Sequence, residues 1–149
     1  MSTFVFTETV QEPSLAQYES ACLGASASGD LNDNDIGKAV KVGASNNFLL
    51  TAAGDEIEGI VVAIEPATYN GGWSFGTVAR RGRALATVGP NEGTTVVPGD
   101  LVVADTQAAV NTAGGLVVQS GSPTTFLWRC IRVVSGTGAT GDTVLIERV

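Results

Sequence analysis

The chain contains no histidine. That removes the side chain most often used as a general base or as a transition-metal ligand. Its only methionine is Met1, and its two cysteines, Cys22 and Cys130, stand far apart. They make neither a CxxC pair nor a disulfide framework, and they read as two buried free thiols. Charged residues are scarce, at 15% of 149, and the balance is acidic, with a net charge of −7. An acidic surface repels phosphate, so nucleic acid is not an expected partner. No apolar run approaches the roughly 20 residues of a membrane-spanning helix. The opening stretch, Met1 to Glu8, lacks the basic and apolar regions of a secretory signal. The expectation is a protein made and folded in a cytoplasm, without membrane contact.

What is present is a repeated turn. Ala53-Gly54-Asp55-Glu56-Ile57, Pro98-Gly99-Asp100-Leu101-Val102 and Thr140-Gly141-Asp142-Thr143-Val144 each place Gly-Asp before an apolar or β-branched run. Glycine supplies a positive φ there, and the Asp side chain can bond its own backbone. The runs between turns read as strands. Lys38 to Val42 alternates, and Ile57 to Ile64 is almost continuously apolar, as in a strand covered on both faces. Gly82, Ala84, Ala86 and Val88 make one small-residue face, suited to close packing or tight barrel curvature, with Arg83, Leu85 and Thr87 opposite. Residues 101–104, 115–119, 126–134 and 143–149 supply further strands. Thr3 to Val10 alternates like an extended arm, Pro13 to Leu23 suits one short helix, and Gly24 to Gly37 is a polar loop. The predicted fold is all-β: a compact β-barrel or β-sandwich of short antiparallel strands. Residues 1–24 form an extended arm with at most one short helix, and residues 25–149 form a single barrel-like domain.

Each constellation that suggests chemistry has a plainer reading. Asp30-Leu31-Asn32-Asp33-Asn34-Asp35-Ile36-Gly37 is rich in oxygen ligands, but it lacks the Gly and Glu that an EF-hand needs at its sixth and twelfth positions. It reads as a solvated turn. Gly136 to Gly141 matches G-x-G-x-x-G by letters, but a strand follows where a helix is required, so it reads as a hairpin loop. Glu56, Glu58 and Glu65 border a strand and read as rim positions. No serine or threonine has a histidine to activate it, so the protein is expected to be non-enzymatic, with no cofactor and no metal. Arg80-Arg81-Gly82-Arg83 is the one basic cluster, suited to salt bridges with an acidic partner or a neighbouring copy. Tyr69, Trp73 and Phe75 lie in or beside a Gly-rich loop and suit a subunit interface. Phe4, Val5 and Phe6 are too apolar for a free tail and suit contact with a neighbour. These nine residues are the candidate interface.

The turns and strands resemble those of the capsid decoration, or cement, proteins of tailed bacteriophages. The resemblance rests on Ile36-Gly37-Lys38-Ala39-Val40, Gly54 to Val61, Arg81 to Ala86, Val97 to Val102 and Thr140 to Ile146, and it spans residues 36–149. The chain departs from that pattern in its long N-terminal segment and its Tyr69–Phe75 insertion. The resemblance implies a virion protein on the outer surface of an icosahedral head, often a homotrimer, clamping neighbouring copies of the major capsid protein. Two other readings stand beside it: another virion β-domain at the tail or fibre base, and a carbohydrate-binding β-sandwich in which Trp73 stacks on a sugar.

Overall fold

The computed structural model describes residues 17–24, 30–65 and 74–148. One strand among them, Phe75–Val88 with 14 residues, is twice the length of the next longest. In chain order the strands are β1 Gln17–Leu23, β2 Ala39–Val42, β3 Asn47–Leu50, β4 Gly59–Ile64, β5 Phe75–Val88, β6 Leu101–Ala104, β7 Val117–Ser120, β8 Trp128–Val133 and β9 Thr143–Arg148. The only helical element among the described residues is a 3-10 turn, Asp33–Asp35. The chain is all-β, as its turns and alternation predict.

The pairings close two rings that share β5. The first runs β1-β3-β2-β4-β5 and returns to β1. The second runs β5-β7-β6-β8-β9 and returns to β5. Each ring has one parallel pair, β1 with β3 or β5 with β7, and four antiparallel pairs. The registers correspond as well. Leu23 faces Phe48 as Val88 faces Val118, and Val40 faces Leu50 as Val102 faces Ser120. Each ring carries a register shift at the same point, Val61/Ala63 in β4 and Cys130/Arg132 in β8.

Hydrogen bonds outside the ladders repeat in the same way. Gly37 N–H donates to Val61 O at 2.7 Å, and Gly99 N–H donates to Cys130 O at 2.8 Å. Gly24 N–H donates to Phe48 O and Gly89 N–H to Val118 O, both at 2.8 Å. The chain is therefore one barrel unit built twice, with β5 closing the first and opening the second.

Sequence explains how β5 serves both. Its even-numbered positions point inward throughout, from Gly76 and Val78 in one barrel to Ala86 and Val88 in the other. Gly82 stands at the changeover with φ +123, a conformation strained for any residue with a Cβ. The small inner face of residues 82–88 permits the curvature predicted for it. Two cores result. One holds Leu23, Leu31, Val40, Phe48, Val61, Ile64 and Val78, and the other is built around Val88, Val102, Val118, Trp128, Cys130, Val144 and Ile146. Ala39, Ile57 and Ile60 belong to first-barrel strands and their lead-in, yet they pack in the second core. This is why the Ile57–Ile64 run is apolar on both faces at its start. Toward its end one face is open, since Val62 is 39% exposed while Ile64 is buried in the first core.

Four expectations are corrected. The helix placed at Pro13 to Leu23 is a strand over its described part, Gln17–Leu23, where Ala21 and Leu23 alternate inward and β5 supplies a hydrogen-bonding partner. Pairing with a distant strand outweighs local helix signals here. That stretch, assigned to the arm, is a wall of the first barrel; residues 1–16 lie outside the described residues. The acidic loop at Asp30–Gly37 is not wholly solvated, because Asp35 is fully buried. Cys130 is buried as expected, but Cys22 is half-buried on an outer face; both are free thiols. Finally, β3 was not anticipated. It is reached through a tight turn at Asn46, which has φ 57.

Candidate functional site

The three Gly-Asp turns form as predicted and share one mechanism. Gly54, Gly99 and Gly141 have φ of 88, 100 and 93. The following Asp carboxylate accepts the N–H three residues earlier: Ala52 for Asp55, Val97 for Asp100 and Ala139 for Asp142. Asp142 also accepts the N–H groups of Thr137 and Gly138, which makes the Gly136–Gly141 segment the hairpin loop before β9.

This use of carboxylates extends through the fold. Glu56 accepts the N–H groups of Thr124, Thr125 and Phe126. Glu92 holds Ser120 and Thr94, Asp105 holds Asn91 and Thr106, and Glu58 holds Val42 N. The Thr124 N–H, with Phe126 N–H beside it, lowers the Glu56 pKa, and the Thr137 and Ala139 N–H groups lower that of Asp142. Burial raises the pKa values of Asp55, Glu92 and Asp105, but hydrogen bonds from Lys41, Ser120 and Asn91 outweigh it and leave all three lowered.

Both lysines are also engaged. Lys41 pairs with Asp55 at 2.6 Å. Lys38 is fully buried, and its Nζ donates to Asp35 at 2.6 Å, Ala109 O at 2.9 Å and Thr112 O at 2.6 Å. Asp35 in turn accepts the N–H groups of Asn32 and Asn111. A cation at the start of β2 thus ties the first barrel to the β6–β7 loop of the second.

The arginines are arranged differently. All six in the sequence lie on adjoining strands: Arg80, Arg81 and Arg83 on β5, Arg129 and Arg132 on β8, and Arg148 on β9. Two point inward at the barrel junction. The Arg80 guanidinium lies 5.3 Å from the centre of the Phe48 ring and 5.8 Å from that of Phe126, and it pairs with Glu19 at 2.7 Å. Arg148 stacks on Phe126 at 4.7 Å and donates to Arg80 O. Burial, then the charges of Arg80 and Arg81, lowers its pKa. The other four point outward and are exposed.

On the outer face two rows cross the strands. Arg83 faces Glu147, which faces Arg129; Leu85 faces Leu145, which faces Arg132. Arg83 pairs with Glu147 at 2.9 Å. The side chains of Arg81, Arg129 and Arg132 have no hydrogen bond or ion pair among the described residues. Leu85 is 60% exposed between them.

Of the nine residues singled out from sequence, the structure brings Arg81 and Arg83 to this face. Arg80 belongs to the junction, and Phe75 begins β5 opposite Cys22 on the first barrel. Phe4, Val5, Phe6, Tyr69 and Trp73 lie outside the described residues. Arg129 and Arg132 were missed. The signal for Arg129 was the alternation Trp128-Arg129-Cys130, which turns it outward once its neighbours are known to be core.

No group of three or more Cys, Asp or Glu that could hold a metal occurs among the described residues. An open polar depression of about 410 Å³ is lined by Thr94, Thr95, Asp100, Leu101, Ser120, Gly121 and Ser122. It offers no aromatic ring on which a sugar could stack. Compared with protein-family models, with curated proteins and with solved structures, the chain gives no match.

Proposed function

We propose that this protein is a non-enzymatic capsid decoration protein of a tailed bacteriophage, seated on the outside of the head and bridging neighbouring major capsid subunits as a homotrimer. The observation that carries the reading is the coincidence of the family-like motifs with the joints of the double barrel. Gly37 and Gly99 occupy equivalent places in the two units, Gly59-Ile60-Val61 opens the strand between the cores, and Gly82 is the changeover of β5. The fold is a clamped block in which at least eight carboxylates among the described residues fasten backbone N–H groups. Such a block suits a part whose task is to hold a shape between neighbours. Electron cryo-microscopy of particles with and without the protein tests it. The expected difference is density on the outer head surface, clustered in threes where capsid subunits meet. Density on the tail, or at no fixed place on the particle, overturns the reading.

A further inference from the structure

We infer that the outer face of β5–β9–β8 is the docking face, and that its partner is an acidic protein surface presenting an apolar side chain flanked by carboxylates. The inference rests on the reading of the protein as a head-binding one, and it identifies the surface that meets the shell.

The argument begins with charge. The chain is acidic overall, yet β5, β8 and β9 carry all six arginines and a single acid, Glu147. Glu147 is itself held by Arg83. Elsewhere among the described residues eight carboxylates fasten backbone N–H groups, Glu19 pairs with Arg80 and both lysines are paired. The charges left without a partner among the described residues are therefore those of Arg81, Arg129 and Arg132, all exposed on one face. An arginine guanidinium presents a planar fork that matches carboxylate geometry in two parallel hydrogen bonds.

The apolar content decides between kinds of anion. Leu85 is exposed beside half-buried Leu145, with half-buried Ile131 in the neighbouring strand. An aliphatic centre rimmed by arginine is the make-up of a protein interface. A site for single-stranded nucleic acid places aromatic rings for stacking, and the net charge of −7 opposes any phosphate backbone. β9 pairs on both sides, with β5 and with β8, so its backbone groups are already used. Docking on this face proceeds through side chains and not by adding a strand.

The test measures binding of the full chain to heads of the encoding phage stripped of it. The variants are Arg129→Glu with Arg132→Glu, and separately Leu85→Glu. Thermal melting checks that each still folds, as expected for exposed side chains. Each variant should bind about tenfold or more weakly, and wild-type affinity should fall as salt rises. Wild-type binding with unimpaired, folded variants overturns this inference alone. Failure of the wild type to bind heads overturns the functional reading and this inference with it. Loss of self-association in the variants, seen by analytical ultracentrifugation with head binding intact, assigns the face to a second copy. Retention of a single-stranded oligonucleotide by the wild type, lost in the arginine variant, assigns it to nucleic acid. Either result overturns the partner named here.

Discussion

Replacing Lys38 with methionine isolates the largest electrostatic commitment in the fold. The Lys38 ammonium is fully buried and makes three contacts, to Asp35, Ala109 O and Thr112 O. Methionine fills similar space but leaves the Asp35 carboxylate buried without its cation, beside the neutral N–H donors of Asn32 and Asn111. It also leaves two carbonyls without their shared donor. Removing one partner of a buried ion pair destabilises by about 3–5 kcal/mol. For a chain of this size that corresponds to a fall in Tm of roughly 6–20 °C. Lys41→Met is the matched control, since its pair with Asp55 is 38% and 29% exposed. An exposed pair of that kind contributes about 0–1 kcal/mol. Urea denaturation of the two variants beside the wild type gives the comparison. A Lys38→Met protein within about 1 kcal/mol of the wild type, or no less stable than Lys41→Met, refutes the reasoning that this cation ties the barrels together.

Three further outcomes follow from the same structure. Asp55, Glu56, Glu92, Asp105 and Asp142 all have folded pKa values below the ordinary carboxylate range. Their contribution is complete above the unfolded values near 4 and is lost as pH falls through the folded ones. The urea midpoint should hold from about pH 8 to 5 and drop below about pH 4; a midpoint unchanged down to pH 3 contradicts this. Trp128→Phe removes the Nε1–H donated to Ile57 O at 2.9 Å across the two barrels. It should destabilise by roughly 2–4 kcal/mol, from an unsatisfied buried carbonyl and a small cavity, read by chemical denaturation with no change in strand content by circular dichroism. Gly99→Ala places a Cβ that meets nothing within 4 Å, at φ +100. Its destabilisation should be the backbone strain alone, about 1–2 kcal/mol, and a larger loss in calorimetry shows that the turn is crowded after all.

The parts of the fold written locally were legible. A Gly-Asp pair carries its own turn, because the glycine φ and the Asp-to-backbone bond both lie within four residues. The Ile57–Ile64 run announced a strand by its composition, but two covered faces only at its start, since Val62 is exposed. What depended on distant residues was not legible. Lys38 looked like the first residue of an ordinary alternating strand, and its burial is decided by Ala109 and Thr112, more than seventy positions away. Residues 17–23 alternate only weakly, and their strand exists because β5 passes alongside. The interface was half visible. Arg81 and Arg83 stood out as a cluster, whereas Arg129 and Arg132 join them only through the β8–β9–β5 pairing.

The shared strand β5 has a consequence for how the molecule comes apart. Two cores within one chain ordinarily allow two melting events, the weaker domain giving way first. Here the wall that closes one barrel runs on into the wall that opens the other, and Ala39 and Ile60 of the first barrel pack in the second core, so unfolding of either half strips packing from its neighbour. A cut at Gly82 leaves each ring its own stretch of β5, 75–81 or 82–88, yet Ala39, Ile57 and Ile60 still lodge in the second core, so the two pieces are not self-sufficient. The shared packing couples the two barrels, and a single melting transition is the expected outcome.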